Sequence, residues 1–330
     1  MVKRVVLFRL FILIICIAFL LPGCTGNHQE DYGYRRFDEV ITGLFDTVMV
    51  IIGYAESQED FDRHVDIIYT ELHHLHQLFD IFNEHPGINN IHTINTNAGI
   101  KPVEVDPIII ELLELSKWAH HYTSGIIDIT MGPILNIWRE SIEAQTIPPM
   151  ENLIAAWDFV NINDVVINEE AKTVFLRRSG MSIDVGAIAK GFATEHVAQK
   201  AMQAGLYSFA LSFGGNVRVA GAPRTEDENG NWRIGISDPD DPDTPRNVVA
   251  LTHNSVVTSG DYFRFFEADG RRYHHIIDPR TLMPANYHRS VTVIHPDTAI
   301  ADILSTAAFI LEMDNSQALI EFFGVEAIWF

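Results

Sequence analysis

Asp302 and Thr306 interrupt the run TAIADILSTAAFIL (298–311), whose other residues are almost all apolar or small. They stand four residues apart, so a helix stacks them on one face. A lone carboxylate in so apolar a segment is costly unless something compensates it. One answer is self-contained, with Thr306 bonded back along the helix; the other is a ligand. A second segment, SIDVGAIAKGFA (182–193), sets Asp184 on a predicted strand, a tight turn at Gly186 and Lys190 one turn into a helix of small residues. Small residues let a ligand approach the backbone, and a helix N-terminus favours anions. With the charge of Lys190 the arrangement suits a nucleotide whose phosphates lie near the helix start. The competing reading is a strand-to-helix turn with a solvated Lys–Asp pair.

Four further segments carry chemistry-bearing residues. SFGGNV (212–217) pairs glycines after an apolar strand, where a ligand could press on backbone. TSGDY (258–262) offers the hydroxyls of Thr258 and Ser259 beside Gly260. HHIIDPRT (274–281) sets His275 and Asp278 around a strand end. SGIIDITMGPILNIW (124–138) places Asp128 between a helix and a turn. Taken singly, each is as well explained by structure as by function. Alternation along a strand turns His274 to the face opposite His275.

The elements that position these residues are read from periodicity. LFDTVMVIIGYA (44–55), TVFLRR, MSIDVG, FALSFGGNVRVAG, WRIGIS, SVTVIHP and VEAIWF read as strands. Helical spacing runs through 59–82, 106–125, 187–205 and the run at 298–311. Asp106 caps the second of these and Pro107 fits its first turn; Asp297 or Thr298 caps the last. DYFRFFEADGRRYHHIIDP (261–279) is a hairpin turning at Asp269-Gly270. His73, His74 and His76 match no zinc spacing and belong to a solvated or half-buried face. The tracts TEDENGN (225–231) and SDPDDPDTPR (237–246) read as solvated acidic loops. Hairpins mixed with helices predict an α+β fold of mixed or antiparallel sheets with packed helices. No GxGxxG follows a strand, so a Rossmann dinucleotide fold is not indicated.

The whole chain sets the setting. Lys3, Arg4 and Arg9 precede a twelve-residue apolar run, LFILIICIAFLL (10–21), too short for the ~20 residues of a membrane span and suited to a secretory leader. It ends in LPGC (21–24), which looks like a bacterial lipobox with Cys24 as the lipidated first residue. The expected organisation is a leader at 1–23, a lipidated tether at 24–36 and one domain at 37–330. The chain would then be anchored by lipid to the extracytoplasmic side of the cell membrane. Its two cysteines are Cys16 and Cys24, one in the leader and one at the lipid site, so the domain has no disulfide to stabilise it. The formal charge of −21 argues against nucleic-acid binding and against a polybasic membrane patch.

In this order, the segments resemble the FAD:protein FMN transferase family, the ApbE lipoproteins, from the lipobox to the last strand. The elements that carry the resemblance are Asp184 through Gly191, Gly214-Gly215-Asn216, Thr258-Ser259-Gly260, His275 through Thr281, and Asp302 with Thr306. The resemblance implies a Mg²⁺-dependent transfer of the FMN half of FAD, as a phosphoester, to a threonine of an acceptor protein, with AMP released. It implies acceptors among flavin-carrying subunits of membrane redox complexes.

Residue by residue, it implies that Asp302, Thr306 and the Ala187 carbonyl hold Mg²⁺, which prefers oxygen ligands and shares them with phosphate. It places Asp184, Lys190, Thr258, Ser259 and Gly260 at FAD, and Phe45, Phe82, Ile126, Ile127, Asp128, Ile276 and Ile277 around the flavin. His275 is the best general base for the threonine hydroxyl, since an unperturbed imidazole titrates near neutrality. The chain departs from the family pattern at three points. Ala187 follows Gly186 where two glycines are usual, Phe45-Asp46-Thr47 replaces Met-Gly-Thr, and Leu282 stands where a glycine is common. Alternative activities are an FAD diphosphatase using the same metal site, a non-catalytic flavin-binding lipoprotein, and a transporter's solute-binding lipoprotein. The Asp302–Thr306 pair argues against the second, and the lack of two similar lobes against the third.

Overall fold

The computed structural model describes residues 33–224 and 230–330. The leader, Cys24 and most of the expected tether lie outside the described residues, as does most of the acidic tract at 225–231. The strands are β1 (Arg35–Leu44), β2 (Thr47–Ala55), β3 (Val103–Glu104), β4 (Val165–Asn168), β5 (Thr173–Leu176), β6 (Phe209–Phe213), β7 (Asn216–Ala220), β8 (Trp232–Asp238), β9 (Asp241–Leu251), β10 (Ser255–Gly260), β11 (Phe265–Ala268), β12 (Arg271–His274), β13 (Ile277–Asp278), β14 (Met283–Pro284), β15 (Ser290–His295) and β16 (Glu326–Trp329). The helices are α1 (Gln58–Phe79), α2 (Ile91–Thr96), α3 (Pro107–Tyr122), α4 (Gly132–Ala144), α5 (Met150–Trp157), α6 (Ala189–Gln203), α7 (Thr298–Ile310) and α8 (Met313–Phe323).

The fold is α+β, built on a sheet of order β1-β2-β6-β7-β10-β15-β16 in which every pairing is antiparallel. Both faces of its centre are covered. Phe209, Leu211 and Phe213 of β6 join the main core, while Ala210 faces the other way and packs with Tyr54, Val219 and Trp232, as the two-residue period of a strand requires. A second core gathers Met131, Ile134, Trp138, Phe266, Tyr273, Ile277 and Leu282. Three-stranded β3-β5-β4 and the hairpins β8-β9, β11-β12 and β13-β14 complete the architecture. Among the described residues no helix is long and apolar enough to cross a membrane.

The helix α7 is buried on nearly every side, which is why its sequence is apolar all round. It packs on β10, β15 and α6. Asp297 caps it by accepting from Ala299 N and Ile300 N. A buried Glu195, paired with Arg218 at 3.1 Å, also accepts from the backbone and hydroxyl of Thr298. This network fixes α6, β7 and the start of α7 against one another. Nothing in the local pattern of the sequence announces it.

Several elements differ from the sequence reading. Residues 181–186, expected as a strand, run irregularly. Their backbone bonds go to the Asn95 side chain, which bridges Ile183 N and O, and to Ile129 O, which accepts from Asp184 N. Those partners replace a strand neighbour. The acidic tract at 237–246, expected as a loop, is the turn and flank of the β8-β9 hairpin. The strand β1 begins at Arg35, inside the expected tether, because it pairs along β2. The helices read at 59–82, 106–125, 187–205 and 298–311 are present, with ends within three residues of those bounds, and so is the hairpin at Asp269-Gly270.

Candidate active site

Asp302 and Thr306 are 4% and 9% exposed, from adjacent turns of α7. Thr306 is not bonded back along its helix. Its hydroxyl lies 3.1 Å from Ser259 Oγ, which also meets Ser305 Oγ at 2.9 Å; Ser305 makes the back-bond, to Asp302 O. Burial pushes the Asp302 carboxyl pKa up, opposed by the positive charge of Lys190 and a hydrogen bond from Gly191 N. That bond reaches Oδ2 at 2.8 Å, and among the described residues no hydrogen bond is made to Oδ1.

The Gly191 amide is informative for a second reason. In an α-helix it would return to Ala187 O. It goes to Asp302 instead, while Phe192 N returns normally to Ile188 O. No backbone amide among the described residues donates to Ala187 O. The diversion requires a glycine: a Cβ on Gly191 would sit 2.4 Å from Asp302 Cβ and 2.7 Å from Thr298 O. So a buried carboxylate, a hydroxyl and a freed carbonyl come from the α6–α7 contact, all oxygen and hard, which fits Mg²⁺. Among the described residues no cluster of three His, Cys, Asp or Glu side chains could hold a metal. Only one acid serves this set, and the other donors are neutral oxygens.

Lys190 stands over this set. Its Nζ lies 3.3 Å from Gly186 O, and its charge acts on both Asp302 and His275. His275 sits between β12 and β13 and is an exposed residue, while His274 is buried against Ala285 O at 2.6 Å and accepts from Ile276 N. The two rings face opposite ways, as alternation predicts. The expectation that His275 titrates near neutrality does not hold. The protein packed around it, with His274, Lys190 and Arg264 nearby, pushes its pKa down to about 3. Because the residue is exposed, water tempers that depression; the imidazole is neutral at pH 7 in either case. Asp278 does not serve His275. It is buried and takes the Arg280 guanidinium at 2.7 Å.

Asp184 accepts from Gly186 N at 2.8 Å and is paired with Arg139. Arg139 in turn lies over the Phe82 ring, 5.2 Å from its centroid. Phe45 occupies the β1–β2 turn, where Phe45 and Asp46 both have φ of 51°, and lines a narrow crevice with Thr47, Phe213 and Lys190. Thus Phe45, Phe82, Asp184, Ala187, Lys190, His275, Asp302 and Thr306 converge. Arg139 and Arg264 join them, as the ion pair of Arg139 with Asp184 and the charge of Arg264 on His275 show. An arginine in a helix or at a turn carries no local pattern that marks it.

Other expected residues are placed differently. Thr258 is bonded to Thr292 across the sheet at 2.8 Å, Ser259 turns to α7, and Gly260 is buried against Tyr262. They brace the site from behind. Ile277 is in the second core and Ile127 in the main one, while Ile276 is half-buried against the main core. The paired glycines Gly214 and Gly215, at φ 56° and 93°, make the β6–β7 turn. A Cβ on Gly214 would lie 2.4 Å from Thr47 Oγ1, so it is the β1–β2 turn that presses on this backbone. Asp128 accepts from Thr130 N and Oγ1 and lies 3.4 Å from His120, whose pKa it raises. With Ile126, Trp157, Pro279 and Arg280 it lines an open cleft of about 430 Å³. This cleft includes none of Lys190, His275, Asp302 or Thr306. The chemistry belongs with the latter group, because a buried carboxylate with only one oxygen hydrogen-bonded and a freed carbonyl point to a ligand more strongly than cleft volume does. The two regions meet where Asp184 N donates to Ile129 O.

The ApbE family model matches residues 45–329. The FAD:protein FMN transferase of Treponema pallidum (strain Nichols) is 37% identical over 254 residues, 72% of this chain and 69% of that protein. The FAD:protein FMN transferase of Klebsiella pneumoniae (strain 342) is 33% identical over 242 residues, 72% of this chain and 73% of that one. Among solved structures, the ApbE protein of Thermotoga maritima superposes with a TM-score of 0.78 at 27% identity, over 90% of this chain and 94% of that chain. With matches of this extent to model, sequence and structure, the chain belongs to the ApbE family.

Proposed function

We propose that this protein is a Mg²⁺-dependent FAD:protein FMN transferase that moves the FMN half of FAD onto a threonine hydroxyl of an acceptor protein. The observation that carries the reading is the Gly191 amide, which goes to the buried Asp302 and leaves Ala187 O, one helical turn before it, without a backbone donor. When bound there, Mg²⁺ would neutralise pyrophosphate charge and polarise the phosphorus for attack. Lys190 binds the phosphates near the start of α6. The imidazole nitrogen of His275 that faces the cleft takes the threonine proton as the threonine oxygen bonds to the FMN phosphorus. The bond from that phosphorus to the AMP phosphate breaks, and AMP leaves. Phe45 and Phe82 hold the flavin, Phe82 being exposed and already stacked by Arg139.

The test is incubation of the leaderless domain with FAD, Mg²⁺ and a candidate acceptor, followed by intact-mass measurement. An acceptor heavier by one FMN less one water supports transfer. Free FMN and AMP with an unlabelled acceptor would identify a diphosphatase instead. The acceptors proposed are flavin-carrying subunits of membrane redox complexes on the extracytoplasmic side. Cys24 is proposed as the lipid anchor on the strength of LPGC. Cys24→Ser should release the protein from membranes and leave its catalytic activity intact; uncleaved residues 1–23 on the mature chain would refute the anchor.

A further inference from the structure

Arg264 follows β10 on the short connection to β11. The connection is held at its base by Asp261, which takes Arg272 at 3.1 Å and Arg289 at 2.9 Å. The arginines around it are all matched with acids: Arg139 with Asp184, Arg280 with Asp278, Arg272 with Asp261 and Glu267, Arg289 with Asp261 and Asp240. Arg264 has no carboxylate partner among the described residues, and neither has Lys190. In a chain of 44 acidic and 23 basic side chains, two cations that face one histidine without a salt bridge call for an explanation.

The backbone adds to it. Arg264 has φ of 49°, a conformation that costs a non-glycine residue energy and concentrates at ligand clamps. That conformation carries its exposed side chain across to the β1–β2 turn, where Nη2 meets Asp46 O at a long 3.4 Å. There its charge faces His275 and Arg139. The Arg264 charge repels that of Arg139, unless an anion joins the two.

We propose that the Arg264 guanidinium binds the phosphoanhydride of FAD from the side opposite Lys190 and stays with the AMP phosphate as it leaves. This rests on the transferase reading above. A planar fork of donors suits two non-bridging phosphate oxygens, and charge grows on the AMP side as the phosphorus–oxygen bond breaks. Lys190 holds the phosphates at the helix start; Arg264 closes over them from a loop.

Arg264→Gln and Arg264→Lys test the assignment, with folding checked by circular dichroism. FAD and riboflavin affinities are measured by flavin fluorescence at fixed Mg²⁺, and acceptor labelling by single turnover at saturating FAD. In Arg264→Gln, FAD affinity should fall roughly tenfold to a hundredfold, the worth of a charge-assisted bond, with riboflavin affinity unchanged and a shallower salt dependence of FAD binding. Arg264→Lys, which keeps the charge and loses the fork, should fall between and labels more slowly than wild type. Equal losses for FAD and riboflavin, or wild-type FAD affinity and labelling in either variant, would overturn the proposal. The binding comparison stands apart from transfer. A wild-type enzyme that binds FAD but labels nothing defeats the transferase reading and leaves the phosphoanhydride contact to be decided by the affinities.

Discussion

Gly191→Ala asks whether the α6–α7 contact is as tight as the site requires. Helix propensity favours the substitution, since Gly costs ~1 kcal/mol relative to Ala in a helix interior. Packing opposes it. The new methyl would sit 2.4 Å from Asp302 Cβ and 2.7 Å from Thr298 O, and neither neighbour is a flexible side-chain end. Thr298 is fixed by Glu195, and Asp302 is enclosed. Overpacking of this kind costs ~1–3 kcal/mol and sometimes more. With backbone as the obstacle the upper part of the range applies, so the net effect is destabilising by ~1–2 kcal/mol. For a domain of this size that lowers Tm by roughly 2–5 °C. The helices must part to admit the methyl, and parting them moves Asp302 away from Ala187 O. Mg²⁺ affinity should therefore fall at least roughly tenfold, the effect typical of losing a partner that orients a ligand. Thermal denaturation with and without Mg²⁺, together with calorimetric titration, reads both quantities. A variant as stable as wild type with unchanged Mg²⁺ binding would refute the argument that glycine is there to bring Asp302 to α6.

Asp302→Asn should leave the metal-free protein as stable as wild type or more so, because burial already disfavours the carboxylate, yet abolish the rise in Tm produced by Mg²⁺; a metal response equal to wild type rules out the ligand assignment. The same group gives a pH rule. Its folded pKa is raised, so the protonated form persists above the usual carboxylate range and Mg²⁺, which needs the anion, should bind more tightly as pH rises through that region; pH-independent Mg²⁺ affinity would contradict it. For His275 the folded pKa is depressed to about 3. The acid limb of kcat/KM due to it should lie well below the ordinary 6.5, and a limb at 6.5 that vanishes in His275→Ala would show the depression to be absent. Leu282→Gly should destabilise by ~1–3 kcal/mol in chemical denaturation. Relief of its positive φ gains ~1–2 kcal/mol, whereas removal of a buried leucine loses more; a stabilised variant would reverse that balance.

The parts of this molecule that were legible in sequence are those governed by short-range rules. The i,i+4 pair on α7, the Asp269-Gly270 hairpin and the caps at Asp106 and Asp297 depend on residues within one turn of each other, and all are in place. The family pattern extended this to Lys190, Asp184 and His275. What could not be read depends on partners far along the chain. Asn95 supplies the bonds of residues 181–186 from 88 positions away, so an alternating apolar stretch that looks like a strand has no strand beside it. Ser259 looks like a ligand-binding hydroxyl until α7 is set against it. Arg139 and Arg264 are marked only by what they face. The pKa of His275 is likewise a property of its surroundings, which push it below the value that the residue type carries.

The departures from the family pattern bear on how firmly the site is built. Asp46 and Leu282 stand where glycine is usual, and both adopt the left-handed φ that glycine would, 51° and 62°. Asp tolerates that region because its short polar side chain bonds locally. Leu does not, so the conformation at 282 must be imposed from outside. The imposing contacts are visible: Leu282 N donates to Asp278 O at 2.8 Å, its carbonyl accepts from Trp138 Nε1 at 2.8 Å, and its side chain is enclosed in the second core. Those bonds would hold the same path for glycine. The turn after His275 is therefore set by Asp278, Trp138 and the core around them rather than by the residue at its apex. Losing the glycine changes how much strain the loop stores, but leaves where it carries His275. The same logic covers Arg264, whose φ is equally strained and whose position is fixed by Asp261 behind it. Strain held in place by buried hydrogen bonds on either side of the cleft keeps the loops from relaxing away before substrate arrives.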